Sequence, residues 1–136
     1  MSPLLSIIVP VQDAENILTT KVNELLEVAA ELTSDFELLI VDDGSTDNTE
    51  EMAMELSREF PQVHTIRYSE QRGEMSAARV GIANTTGEVV LIHDINSPLS
   101  GDAVRQFWAM RDDKELSLIH IPSPRDQRGS RMPSSA

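Results

Sequence analysis

The chain contains no cysteine, which excludes disulfide staples, a thiolate nucleophile and cysteine-ligated zinc or iron–sulfur sites. Cations are scarce as well: 11 Lys and Arg stand against 23 Asp and Glu, a formal net charge of −12 over 136 residues. Nucleic acids are gripped by clustered Lys and Arg, so no nucleic-acid partner is expected, although an anionic ligand could still bind through a bridging metal. Long apolar runs are missing too. No stretch approaches the roughly 20 apolar residues that cross a bilayer, so no transmembrane segment is expected. The apolar residues 4–11 lack the basic leader and cleavage-like site of an export signal. The expectation is a soluble, cytoplasmic protein. Aromatics make up only 4%, so the core must be mainly aliphatic, and the length suits one domain.

What is present is an alternation of two kinds of apolar pattern. Residues 4–9 form a short, nearly continuous, β-branched run that predicts a strand buried on both faces and stopped by Pro10. Over residues 14–32 the apolar positions Ile17, Leu18, Val22, Leu25, Leu26, Ala29 and Leu32 recur at helical spacing, with Asp13 as the expected N-cap. Residues 36–41 read as a second strand. Asp47-Asn48-Thr49-Glu50 then reads as a capping box opening a helix closed by Pro61, with Met52, Leu56 and Phe60 inward. A strand over 63–68, a helix with Met75, Ala78 and Ile82 on its inner face, and a strand over 88–92 follow. A helix over 102–111, burying Val104, Phe107 and Trp108, and a strand over 116–121 complete the pattern. Alternation of this kind predicts α/β architecture: a three-layer α/β/α sandwich around a mostly parallel sheet with right-handed crossovers. The domain is expected over residues 1–121. Residues 122–136, rich in Pro, Ser and Arg, are expected to form a flexible tail.

Ligands of open parallel sheets bind outside the carboxyl ends of the strands. Four polar segments fall at that edge: residues 10–13, 42–45, 69–73 and 93–96. Their Asp and amide side chains suit a base and ribose, or a hard divalent cation held by oxygen ligands. Neither a G-x-G-x-x-G nor a G-x-x-x-x-G-K-[ST] run is present. Plainer readings stand beside this one. Asp and Ser in residues 42–47 also make turns and helix caps, Asp94 and Asn96 before Pro98 are turn formers, and His93 at a buried strand end is more often structural. His64 and His120 are given no role, and the helix methionines read as packing.

In order and spacing, Ser6-Ile7-Ile8-Val9-Pro10-Val11, Val41-Asp42-Asp43-Gly44-Ser45-Thr46-Asp47-Asn48-Thr49, Gly81-Ile82-Ala83-Asn84-Thr85-Thr86-Gly87-Glu88 and Asp94-Ile95-Asn96 resemble the family 2 glycosyltransferases. The resemblance implies the A-type, nucleotide-diphospho-sugar transferase-like fold, inverting transfer, a nucleotide-diphosphate sugar as partner, and Mg²⁺ or Mn²⁺ as cofactor. It assigns base and ribose contacts to Pro10, Val11, Asp42 and Asp43, with Asp94 at the ribose or metal and Asn96 at the metal. Gln12, next along, is counted among the nucleotide-binding residues, and the phosphates are left to metal, to backbone N–H groups, or to Arg72 and Arg79. Four positions depart from the family pattern: Gln12 replaces a frequent aromatic, Gln71 an Asn, Arg79 an Asn, and Asn96 the final Asp of D-x-D.

Members of that family continue into an acceptor-binding half with the catalytic carboxylate. Here Asp102, Asp112, Asp113 and Asp126 are the acids beyond the fourth strand, none at a motif position, so no catalytic residue is assigned and the acceptor is unknown. The reading is a donor-binding half. The alternative is a non-catalytic nucleotide-binding or assembly module, and a third reading is a remnant that binds nothing. An exposed edge strand offers a surface for a second copy of the chain.

Overall fold

The computed structural model describes residues 5–97, 101–110 and 118–121. Its strands are β1 (Leu5–Val11), β2 (Phe36–Asp43), β3 (Val63–Tyr68), β4 (Val89–His93) and β5 (Leu118–Ile121). Between them run α1 (Leu18–Leu32), α2 (Thr49–Glu59), α3 (Glu74–Ala83) and α4 (Gly101–Ala109). The strand order is β3-β2-β1-β4-β5 and every pair is parallel. The tail expected over 122–136 lies outside the described residues. Among those described, no helix is long and apolar enough to cross a membrane.

The aliphatic runs make central strands because both of their faces are covered. Leu5, Ile7, Val9 and Val11 of β1 join Leu38 and Ile40 of β2 in one cluster with α1, α2 and α4. Ile8, Leu39, Val41 and Ile92 point the other way, onto Ala77 of α3. Helices thus lie on both sides of the sheet, the three-layer α/β/α arrangement that the strand–helix alternation predicted.

Four local expectations are corrected. Pro10 does not stop β1: it stays in register with Val41, while pairing with β4 ends at Ile8. Beyond Ile8 the strand has only β2 alongside, and a residue without an N–H is tolerated at such an edge. Asp13 does not cap α1. The Ala14 carbonyl instead accepts from the Ile17 and Leu18 N–H groups at 3.1 and 2.9 Å, and the helix starts at Leu18 with no side-chain cap. The capping box does not form either. Asp47 accepts from the Thr49 N–H at 2.9 Å, whereas Glu50 turns to Arg67 Nε at 3.3 Å.

The inner face of α3 is also different. Met75 is 73% exposed and Ile82 37% exposed, whereas Ala78 packs partly buried against the sheet as expected, and Ala77 and Gly81 join it there. A Cβ on Gly81 would lie 2.4 Å from Ile8 Cγ2, so the helix sits closer to the sheet than larger residues permit. Close approach selected the small face over the more hydrophobic one.

Gly81→Ala should therefore lower stability by about 1–3 kcal/mol, because overpacking against Ile8 outweighs the helix-propensity gain of alanine over glycine. The urea midpoint measures it. A raised midpoint would show that α3 can back away from the sheet.

Candidate functional site

Parallel register brings the carboxyl ends of the central strands to one edge: Val11 lies beside Asp42, and Ile8 beside Ile92. A cleft of about 210 Å³ opens there, lined by Pro10, Val11, Gln12, Asp43, Gln71, Asp94 and Asn96.

Asp43 ends β2 and is buried. Its Oδ1 accepts from the Arg72 N–H at 2.7 Å and its Oδ2 from the Gly73 N–H at 2.8 Å, which pins residues 71–73 against the cleft. Gly44 makes the approach feasible. It has φ +70°, and a Cβ there would lie 2.5 Å from the Gln71 nitrogen. The Arg72 guanidinium rests 4.5 Å from the Tyr68 ring centroid, a cation–π contact.

Asp42 lies beneath the cleft, fully buried. One carboxylate oxygen accepts from the Ser45 N–H at 3.1 Å, and the other faces Arg67 Nε at 3.5 Å. Arg67 also pairs with Glu50 and donates to the Ser45 carbonyl at 3.1 Å. Sequence reading did not single out Arg67. Its signal appears only when β2 and β3 pair and Asp42 falls beside it.

Asp13 links the first two loops. Its backbone is left-handed, with φ +52°. One carboxylate oxygen accepts from the Thr46 N–H at 2.7 Å and the Asp47 N–H at 3.3 Å, and the other from Gln12 Nε2 at 2.9 Å. The Asp13 N–H in turn donates to Ser45 Oγ at 2.8 Å, and the Ala14 N–H to Thr49 Oγ1 at 2.8 Å. Asp47 closes the set by accepting from the Glu15 N–H at 3.3 Å. Partial burial works to raise the Asp47 pKa. Hydrogen bonds from the Thr49 hydroxyl and from the N–H groups of Thr49, Glu15 and Asp47 itself outweigh it and hold the carboxyl below its ordinary value.

Asp94 follows β4 and is 3% exposed. Its Oδ1 accepts from the Asn96 N–H at 2.9 Å, whereas Oδ2 is buried with no hydrogen-bond partner among the described residues. Asn96 is exposed at the cleft, and His93 is buried at the end of β4. Among the described residues no group of three or more His, Asp or Glu is placed to hold a metal on its own.

Of the residues singled out from sequence, the cleft gathers Pro10, Val11, Gln12, Asp43, Asp94 and Asn96, and adds Gln71 of the 69–73 segment, to which no contact was assigned. Asp42, Arg72 and Arg79 are not on its wall. Asp42 faces Arg67, Arg72 stacks on Tyr68, and Arg79 is exposed on α3.

Residues 6–130 match the profile described as Glycosyl transferase family 2. The chain belongs to this family. A curated relative, glycosyltransferase GlyG of Streptococcus pneumoniae serotype 4, is 24% identical over 119 residues, which cover 88% of this chain and 38% of GlyG. Among solved structures, S. aureus TarS 1–349 superposes with a TM-score of 0.61 at 24% identity, over 83% of this chain and 33% of TarS 1–349. The mannosyltransferase PcManGT of Pyrobaculum calidifontis, in complex with GDP-Man and Mn²⁺, gives 0.64 at 21% identity over 79% of this chain and 32% of that one. This family 2 chain thus spans about a third of the length of the relatives it matches.

Two outcomes follow from the loop contacts of this glycosyltransferase-family domain. Asp43→Asn places an NH₂ group against an N–H donor, so amide exchange at Arg72 and Gly73 should accelerate by about tenfold or more; unchanged exchange would show that the clamp does not hold the loop. The depressed Asp47 pKa contributes stability that is present above the unfolded carboxylate value of about 3.9 and lost as pH falls through the lower folded value. The melting-temperature gap between the wild type and Asp47→Asn should therefore stay constant down to about pH 5 and close in stronger acid. A gap independent of pH would mean that the Asp47 charge is not what ties the loops.

Proposed function

We propose that this domain binds a nucleotide-diphosphate sugar in the cleft and presents it for transfer to an acceptor held by a further domain or partner. The observation that carries this reading is Asp94 Oδ2, a buried carboxylate oxygen with no hydrogen-bond partner among the described residues, in a residue at the wall of a cleft at the carboxyl edge of a parallel sheet. Pro10, Val11 and Gln12 form the wall assigned to the base, and Asp43 the edge assigned to the ribose. Asp42 supports that edge from below. Arg72, directly after Gln71 of the wall, is the cation assigned to the diphosphate, with Arg79 of α3 as a second.

A divalent cation fits the residues present. Asp94 Oδ2 and the Asn96 amide offer oxygen ligands, leaving further positions to phosphate oxygens and water, the usual manner of Mg²⁺. Such an ion, Mg²⁺ or Mn²⁺, would neutralise the diphosphate beside a chain of net charge −12. The neighbours support this reading by their ligands: TarS has been solved with UDP-GlcNAc and with UDP, and PcManGT with GDP-Man and Mn²⁺.

Transfer also needs a base to deprotonate the acceptor hydroxyl, and no described residue is assigned to that role. Binding without transfer is the second reading. It is favoured by Asn96, a neutral side chain that leaves Asp94 as the single carboxylate of that loop.

Calorimetric titration with UDP and GDP, each with and without Mn²⁺, tests the proposal. Micromolar binding of one nucleotide, about −8 kcal/mol, strengthened by Mn²⁺, is expected. Asp94→Asn should abolish the Mn²⁺ increment, and Asn96→Asp should enlarge it about tenfold by adding ligand charge. Absence of binding by either nucleotide in all conditions overturns the reading. Release of free nucleotide from a bound donor in the presence of acceptor would favour transfer over binding alone.

A further inference from the structure

Gln12 lines the cleft, and its amide is held by Asp13, a residue outside the cleft wall. A carboxylate can only accept hydrogen bonds, so the contact with Asp13 Oδ2 at 2.9 Å must be made by the Gln12 NH₂ group. The amide oxygen, Oε1, is thereby left as the uncommitted acceptor. Asp13 itself has little freedom. Its other oxygen is held by the Thr46 and Asp47 N–H groups, its own N–H by Ser45 Oγ, and its backbone is left-handed, a conformation that Asp adopts more readily than most residues.

Resting on the nucleotide reading above, we infer that Asp13 is a positioning residue that makes Gln12 Oε1 the base-reading atom of the cleft. The cleft then selects bases whose edge carries a ring N–H donor, as uracil and guanine do, over those that present a ring acceptor there, as cytosine and adenine do. A ring N–H would donate to Oε1. A ring acceptor would face Oε1 lone pair to lone pair. Gln71 and Asn96, the other amides on the wall, have no comparable side-chain anchor among the contacts of the described residues, so Gln12 is the amide whose sense is fixed.

Asp13→Asn tests the inference without removing the loop contacts. Its side-chain oxygen must stay on the Thr46 and Asp47 N–H groups, which puts its NH₂ where Asp13 Oδ2 stood. That NH₂ can only donate, so the Gln12 amide must turn its oxygen toward residue 13 and its NH₂ toward the cleft. Titration with UDP, GDP, CDP and ADP at constant Mn²⁺ reads the result. The wild type should favour the better of UDP and GDP over both CDP and ADP by at least about fivefold. Asp13→Asn should reverse or erase that ratio, and Gln12→Leu, whose side chain has neither donor nor acceptor, should erase it while leaving the melting temperature unchanged. A loss of affinity equal for all four nucleotides would assign Asp13 a structural role alone and overturn the inference. So would a preference that survives both variants, while nucleotide binding itself would stand. Failure of all four nucleotides to bind the wild type overturns the nucleotide reading, and this inference with it.

Discussion

Asp43 reaches from the end of β2 to two main-chain N–H groups that follow it by 29 and 30 residues. Hydrogen bonds to an ionised acceptor contribute about 1.5–3 kcal/mol each, roughly twice a neutral pair, and here they bridge segments with no ladder between them. The cleft depends on this contact. It places Gln71 on the wall, brings the loop against Gly44 where a side chain would collide, and delivers the chain to Gly73, whose φ of +102° starts α3. From there α3 descends onto β1 and β2 at the distance that Gly81 and Ala77 permit.

The same device recurs one strand over. Asp13 accepts the Thr46 and Asp47 N–H groups, and Asp47 accepts those of Glu15 and Thr49. A chain this acidic has few cations to pair with its carboxylates, and main-chain donors stand in for them. The consequence is a rigid, anionic ligand edge. Arg67 is the cation drawn into this framework, shared by Asp42 and Glu50. Asp94 is different: one of its oxygens has no hydrogen-bond partner among the described residues, and a buried acceptor is costly unless a partner completes it.

Much of the fold was legible in the sequence because each strand is a short aliphatic run and each long helix keeps a 3.6-residue period. Val104, Phe107 and Trp108 are buried on α4 as their spacing required. The cap misreadings share one cause. Asp13 and Glu50 have sequence neighbours that suggest local caps, yet their partners lie in another loop or strand, and Asp47 divides its oxygens between Thr49 nearby and Glu15 of the first loop. Met75 and Ile82 outweigh Ala77 and Gly81 in hydrophobicity, but the smaller pair meets the sheet, with Ala78 packed beside it.

By itself the sequence determined the α/β class, the order of elements, the family and the edge at which polar side chains collect, because periodicity and loop composition are properties of neighbouring residues. Tertiary structure decided which of those polar residues face a ligand. Asp42 and Asp43 are adjacent and chemically identical, yet alternation along β2 sends one beneath the cleft toward Arg67 and the other to its wall. Gln12 and Gln71 are 59 residues apart and meet at one cleft only because parallel register levels the strand ends and Asp43 draws the later loop across. Such contacts depend on three-dimensional closure between distant segments, which no local pattern encodes.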